Sequence, residues 1–190
     1  MRRPARPGVT RRALALAKPV SLLVLDVDGV LTDNGVWRDG AGHASPGHGA
    51  GFKRFDVRDG MGLKLLMRAG IEVAAISGLG NVQAEQRLRE LGIREFHGGH
   101  LKKLPVMEKV LSERGLDFSQ AAYMGDDWLD APAMTRVGLP MAPADAQPEI
   151  LRIAAWVSRF PGGHGAVREA VRFLLMAQGK LDSIRRDLLS

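Results

Sequence analysis

The sequence predicts an α/β domain built on a doubly wound parallel sheet. Short apolar runs recur along the chain, and a run without polar alternation is typical of a strand that is buried on both faces. Segments with helical periodicity lie between these runs and mostly end at glycine, which favours the left-handed conformation found after a helix end. Alternation of this kind across short connections predicts helices on both faces of the sheet.

The first predicted strand runs from Val20 to Leu25 and stops at acidic residues. Later apolar runs predict four more strands, at Ile71 to Ile76, Ala121 to Met124, Leu139 to Ala142 and Trp156 to Val157. In an open parallel sheet, ligands bind beyond the carboxyl ends of the strands. The residues that follow each strand are therefore the first candidates for function.

Four segments between and after these strands are predicted helices: Met61 to Ala69, Val82 to Leu91, Leu104 to Arg114 and Ala166 to Gln178. Glycine follows each of the first three directly, and Asn81 is a suitable N-cap for the second. The last segment places its valines and leucines on one face, as expected of a helix packed on a core.

Three segments fall outside this alternation. Residues 1–18 are predicted to be a basic, disordered arm, and residues 19–190 a single domain. Within that domain, residues 34–57 predict a β-hairpin around a glycine-rich stretch, too small to be a separate cap domain. Residues 179–190 read as a polar C-terminal tail that could pack on another subunit.

The charge distribution argues against nucleic-acid binding, although the net charge is +6. The arm holds six basic residues and no acid, and the other 21 lysines and arginines equal the 21 acids in number. We therefore expect no nucleic-acid partner. No apolar stretch approaches the roughly 20 residues that span a bilayer, so a cytoplasmic protein without a membrane partner is expected. Cysteine is absent, which excludes disulfides and thiolate chemistry.

Acidic, hydroxyl and basic residues occur at the predicted strand ends in a pattern suited to phosphoryl transfer. Asp26 and Asp28 follow the first strand, Ser77 follows the second, Lys103 begins a helix, and Asp126 follows the third strand. Residues two apart in an extended chain face the same side, so both aspartates of the first pair can reach one pocket. A carboxylate can attack phosphorus and carry an acyl-phosphate, but two anions repel each other unless a cation such as Mg²⁺ lies between them.

Roles follow from this chemistry. Asp26 is the predicted nucleophile and, with Asp126, a carboxylate ligand of Mg²⁺, while Asp28 would protonate the leaving alkoxide. Ser77 would donate a hydrogen bond to a phosphate oxygen, and Lys103 would neutralise the developing charge.

Two further acids and two arginines have more than one reading. Asp127 and Asp130 are predicted to orient Lys103 or metal-bound water, or else simply to cap the helix that follows. Arg58 and Arg168 could bind a substrate carboxylate, and structural ion pairing is equally consistent with the sequence.

The ordered motifs resemble those of the haloacid dehalogenase (HAD) superfamily: the Asp26 to Asp33 segment, Ser77, Lys103 and Gly125 to Asp130. The likeness narrows to the capless branch typified by 3-deoxy-D-manno-octulosonate 8-phosphate phosphatase. It implies a Rossmann-like HAD fold and hydrolysis of an acidic sugar phosphate, in homotetramers whose hairpins meet. It also implies that Asp28 is a magnesium ligand through its backbone carbonyl.

The sequence departs from that branch in ways that bear on substrate. Leu79 stands where arginine commonly follows the Ser/Thr-Gly pair, His164 replaces another frequent arginine, and the hairpin is longer. A phosphatase for nonulosonate 9-phosphates of the sialic-acid type is therefore an alternative. From other classes, a signalling receiver domain is disfavoured by the motif order, and an inactive assembly module by the intact acidic residues and lysine.

Overall fold

The computed structural model describes residues 9–38, 51–80 and 82–189. Six parallel strands form one sheet in the order β5-β4-β1-β6-β7-β8, and two more strands form an antiparallel pair, β2-β3. The strands are β1 (Leu22–Leu25), β2 (Trp37–Arg38), β3 (Gly51–Phe52), β4 (Glu72–Ile76), β5 (Glu95–His97), β6 (Ala121–Met124), β7 (Leu139–Ala142) and β8 (Trp156–Val157).

Eight α-helices are found in the described ranges: α1 (Arg11–Ala17), α2 (Val57–Arg68), α3 (Val82–Leu91), α4 (Lys103–Ser112), α5 (Ala131–Met134), α6 (Pro148–Ile153), α7 (Ala166–Ala177) and α8 (Leu181–Leu189). Helices α1, α2, α3 and α7 contribute to the apolar cluster on one face of the sheet, whereas α4, α5 and α6 contribute to a second cluster on the other. The predicted doubly wound α/β fold is confirmed.

The central strand explains why the catalytic candidates converge. All four residues of β1 are buried, and the strand pairs in parallel with both β4 and β6. Leu25 aligns with Ala75 on one side and Met124 on the other, so the residues just beyond the three strands leave the sheet at the same edge. The backbone N–H of Asp26 still donates to Met124 O at 2.9 Å, which holds the turn against the sheet.

The prediction of a disordered arm is wrong for residues 11–17, which form α1. Thr10 caps this helix by accepting a hydrogen bond from Ala13 N at 3.0 Å. Ala13 and Ala17 are fully buried in the core, and the Gln178 side chain donates to Ala17 O at 3.0 Å. Residues 11–17 were predicted from their charge, whereas Ala13 and Ala17, four residues apart, form an apolar stripe on one face of the helix. Residues 1–8 of the predicted arm lie outside the described residues.

Other differences concern short elements and helix ends. The predicted polar tail is helical over α8, where Ile184 is buried. Helix α2 begins earlier than predicted because Asp56 caps it, accepting a hydrogen bond from Arg58 N at 2.8 Å. Strand β5 and helices α5 and α6 were not predicted, since elements this short carry little periodicity. The proposed N-cap Asn81 lies outside the described residues.

The predicted hairpin is confirmed where the structure describes it. Trp37 pairs with Phe52 in antiparallel register, and an isolated bridge between Thr32 and Phe55 ties its base to the segment after β1. Residues 39–50 of the glycine-rich stretch lie outside the described residues. The described part of the chain contains no helix with the length and hydropathy of a membrane span.

Candidate active site

Asp26 and Lys103 form a buried ion pair at the carboxyl edge of the sheet. The Lys103 ammonium lies 2.8 Å from Asp26 Oδ1, and Val27 N donates to the same oxygen at 2.7 Å. Burial alone would lower the pKa of Lys103, but Asp26 and Asp130 outweigh it and raise that pKa above its usual range. Lys103 is therefore a permanent cation beside the predicted nucleophile.

Asp130 is buried in the site and accepts four hydrogen bonds from the groups around it. This fully buried carboxylate accepts hydrogen bonds from the Lys103 ammonium at 2.6 Å and the Tyr123 hydroxyl at 2.9 Å on one oxygen. Its other oxygen accepts from the backbone N–H groups of Asp126 and Asp127 at 3.0 and 3.2 Å. With both oxygens satisfied, Asp130 positions Lys103 and the loop after β6, as one reading of the sequence predicted.

Asp126 presents an oxygen with no partner. It is 7% exposed, and Oδ1 is buried without a hydrogen bond, while Oδ2 accepts one long bond from Asn34 Nδ2 at 3.4 Å. A buried acceptor left unsatisfied is costly, and a bound cation would satisfy it. Gly29, at φ 86°, makes room for this carboxylate, because a Cβ there would lie 2.1 Å from Asp126 Oδ2.

The acidic cluster has the spacing of a metal site. One oxygen each of Asp26, Asp126 and Asp130 lies within 4.8 Å of the others. Since the oxygens of Asp130 are already occupied by donors, Asp26 and Asp126 are the side chains that fit a divalent cation best, and their role as metal ligands stays a prediction.

The electrostatics support the same assignment. Burial and the charge of Asp130 raise the pKa of Asp26 to about 7, although Lys103 opposes the rise. Burial, followed by the charges of Asp26 and Asp130, raises the pKa of Asp126 to about 8. The protein thus disfavours two ionised carboxylates side by side, and a divalent cation would reverse that preference.

Asp28 faces the same cleft from two residues further along the chain. Its Oδ1 contacts the Lys53 ammonium and accepts a long hydrogen bond from Thr32 Oγ1 at 3.4 Å. With Asp26 it lines a cleft of about 160 Å³. The structure therefore brings the predicted nucleophile and the predicted acid/base into one space.

Ser77 and Leu79 follow β4. Ser77 is fully buried and does not line the cleft, and its Oγ accepts a hydrogen bond from Leu79 N at 3.2 Å, so its contact with a phosphate oxygen stays a prediction. Leu79 lines the cleft together with Leu101 and Leu129. The position where the resemblance led us to expect arginine thus contributes an apolar wall.

Three predicted residues have other contacts. Asp127 caps a short 3-10 turn by accepting a hydrogen bond from Trp128 N at 2.6 Å, as the capping alternative foresaw, although it also lines the cleft. Arg58 forms an ion pair with Asp56 at 2.7 Å and donates to a backbone carbonyl. Neither Arg58 nor Arg168 lines the cleft of this chain, so their substrate-binding role stays a prediction.

Sequence reasoning missed Lys53, Asn34 and Tyr123. Lys53 and Asn34 flank the hairpin, and Tyr123 lies within β6, where it reads as an ordinary core residue. Tyr123 had one available signal: a buried phenol requires a hydrogen-bond partner, and a strand ending beside acids supplies one. No motif marked the other two.

The comparisons with known proteins agree with this geometry. The 3-deoxy-D-manno-octulosonate 8-phosphate phosphatase KdsC of Escherichia coli K12 is 40% identical over 177 residues, which cover 93% of this chain and 90% of the relative. A crystal structure of the Moraxella catarrhalis phosphatase of the same name, in complex with a magnesium ion, a phosphate ion and a KDO molecule, has a TM-score of 0.88. It is 29% identical and is matched over 94% of this chain and 99% of that one.

A HAD superfamily subfamily III A hydrolase of Legionella pneumophila has a TM-score of 0.87 at 38% identity, over 94% of both chains. No family model matches the chain. The parallel sheet with its acidic edge and buried lysine defines a hydrolase of the HAD superfamily. Within that superfamily, the chain belongs to the 3-deoxy-D-manno-octulosonate 8-phosphate phosphatase family.

Proposed function

We propose that this chain is a magnesium-dependent phosphatase that hydrolyses 3-deoxy-D-manno-octulosonate 8-phosphate through an aspartyl-phosphate on Asp26. The observation that carries the proposal is the arrangement at the end of β1. Asp26 is held by Lys103 through one oxygen, Asp28 faces the same cleft, and Asp126 offers an unpaired oxygen. The names of the relatives supply the substrate.

The chain's own groups account for the chemical steps. Lys103 and Val27 N both bind Oδ1 of Asp26, so they leave its other oxygen to attack phosphorus as the bond to the sugar oxygen breaks. Asp28 gives its proton to the departing alkoxide, and it then takes a proton from the water that cleaves the acyl-phosphate. Lys103 and the Ser77 hydroxyl stabilise the phosphoryl oxygens.

Asp26, Asp126 and the backbone carbonyl of Asp28 would hold Mg²⁺. When bound, the ion supplies positive charge that offsets the repulsion between the carboxylates and the phosphate dianion. The buried, unpaired oxygen of Asp126 and the raised pKa of both carboxylates support this assignment.

Side-by-side turnover of 3-deoxy-D-manno-octulosonate 8-phosphate and a nonulosonate 9-phosphate tests the substrate. We expect a clear preference for the former, with activity abolished by EDTA and restored by Mg²⁺. A preference for the nonulosonate ester would assign the apolar wall at Leu79 to that substrate instead. Full activity in EDTA would exclude the metal.

The Asp26→Asn variant tests the nucleophile against a matched control. It preserves side-chain size and is expected to fold while losing turnover, because an amide cannot form the acyl-phosphate. Asp117→Asn alters an exposed aspartate that does not line the cleft and should retain most activity. Substantial turnover by Asp26→Asn would remove Asp26 as nucleophile, and lasting phosphorylation of the wild type without turnover would favour a receiver-like role.

We also propose a cytoplasmic homotetramer. The apolar side chains of Val36, Trp37 and Phe52 on the hairpin are 63%, 65% and 75% exposed, and adjoining Val57 is 77% exposed. Exposed apolar residues grouped in this way are typical of an interface. Light scattering should give four chains per particle, and Phe52→Asp should lower that number. Cell fractionation tests the location.

A further inference from the structure

The β-hairpin brings a second cation to the active site. Lys53 directly follows β3, and its ammonium contacts Oδ1 of Asp28. Its side chain is only 10% exposed, which is uncommon for a lysine unless a partner compensates for the lost hydration. The other buried cation of the site, Lys103, is already engaged by Asp26 and Asp130. Lys53 is thus the cation that forms an ion pair with Asp28.

The backbone beside Lys53 is anchored by its neighbours. Phe55, two residues after Lys53, forms a β-bridge with Thr32. Arg54, the residue next to Lys53, donates a hydrogen bond to Gly163 O at 2.7 Å. These contacts hold the hairpin base against two loops at the carboxyl edge of the sheet. The ion pair is therefore built into the fold and does not depend on a flexible surface side chain.

Both contacts to the Asp28 carboxylate are made on the same oxygen. Lys53 and Thr32 approach Oδ1, and the Thr32 bond, at 3.4 Å, is near the upper limit for a hydrogen bond. Oδ2 is left to exchange a proton with substrate or water. Without Lys53, the long hydrogen bond from Thr32 would be left to restrain rotation of the Asp28 carboxylate.

We propose that Lys53 is a positioning residue: it holds Asp28 by one oxygen so that the other faces the leaving oxygen. This inference rests on the proposed function, in which Asp28 is the acid/base. It gives the hairpin a part in the chemistry of its own chain, besides any part in assembly. Because Lys53 acts through Asp28, its loss should matter only in steps in which Asp28 transfers a proton.

Two esters with different leaving groups test this dependence. 3-Deoxy-D-manno-octulosonate 8-phosphate releases an alkoxide that needs a proton, whereas 4-nitrophenyl phosphate releases a stable phenolate. The ratio kcat/KM reports the steps up to departure of the leaving group. For Lys53→Met we expect kcat/KM to fall about 10- to 100-fold on the sugar phosphate, part of what general acid catalysis supplies, and by less than about twofold on the nitrophenyl ester. Lys53→Arg should recover part of the loss.

Two further variants separate positioning from structural damage. Lys64→Met alters an exposed lysine on α2 and should leave both ratios unchanged. In an Asp28→Asn background, Lys53→Met should cost nothing further, since residues that act as a unit are not additive. If Lys53→Met does not fold, Lys53→Gln provides the same two ratios.

The role of Lys53 would be overturned if Lys53→Met lowered kcat/KM equally on the two esters, or if it lowered kcat/KM further in the Asp28→Asn background. Either result would leave the proposed function intact. A wild type that hydrolyses neither ester would refute the proposed function and this inference with it.

Discussion

Replacing Asp126 by asparagine should stabilise the metal-free protein while removing its response to magnesium. The carboxylate is 7% exposed and lies beside two other acids. Burial and the charges of Asp26 and Asp130 raise its pKa to about 8 from an ordinary 3.8. The amide of Asp126→Asn has nearly the same shape and no charge.

The sign of the effect follows from proton linkage. Because the pKa of Asp126 is higher in the folded state, the folded protein binds this proton more tightly than the unfolded chain does. Its contribution to stability is complete below the unfolded pKa and is lost as the pH rises from about 4 through about 8. At about 1.4 kcal/mol per pKa unit, the loss by pH 8 reaches several kcal/mol. We expect Asp126→Asn to exceed the wild type by about 2–5 kcal/mol at pH 8 in EDTA, and by about 1–2 kcal/mol at pH 5.

Urea unfolding in EDTA and in Mg²⁺ at both pH values measures these differences. Magnesium should raise the stability of the wild type by mass action and leave that of Asp126→Asn nearly unchanged, which narrows or reverses the order of the two proteins. The matched control is Asp117→Asn, which removes an exposed carboxylate that does not line the cleft. The reasoning would be refuted if Asp126→Asn were less stable than the wild type in EDTA at pH 8, or if magnesium stabilised both proteins equally.

Three other substitutions probe the same site. Gly29→Ala would place a Cβ 2.1 Å from Asp126 Oδ2 at φ 86°, so we expect a loss of about 1–3 kcal/mol in unfolding free energy and weaker dependence on magnesium. Tyr123→Phe removes the hydroxyl 2.9 Å from Asp130 and should cost about 1–3 kcal/mol while turnover persists, because Lys103 keeps both carboxylate partners. Arg58→Gln, at an exposed position, should hardly change the unfolding midpoint; an increase in KM would support its predicted contact with substrate.

The fold was predictable because its signals are local. The run from Leu22 to Leu25 has no polar alternation, and a buried parallel strand needs none. Gly92 after α3 is also a local signal: it adopts φ 88°, a left-handed conformation that favours glycine and ends a helix. Helix α1 escaped prediction because its basic residues resemble a solvated arm until the burial of Ala13 and Ala17 is seen.

Within the site, the sequence predicted residue types and their order, but it left most partnerships open: the orientation of Lys103 by Asp130 was one of two readings. Asp26, Lys103 and Asp130 were named, yet only the structure shows that both carboxylates contact the one ammonium. Lys53 could not be predicted to contact Asp28, because that contact depends on how the hairpin folds back over the edge of the sheet.

The sequence by itself determined that acids at strand ends and a lysine at a helix start occur in the order of a HAD phosphatase, because strand pattern and motif order are properties of the chain. The tertiary structure decided which carboxylates lie close enough to each other and to Lys103 to shift each other's pKa. Burial raises the pKa of Asp26 and Asp126, and the free oxygen of Asp126 has meaning only in three dimensions. Desolvation and distance, which set both effects, arise only when the strand ends are brought together.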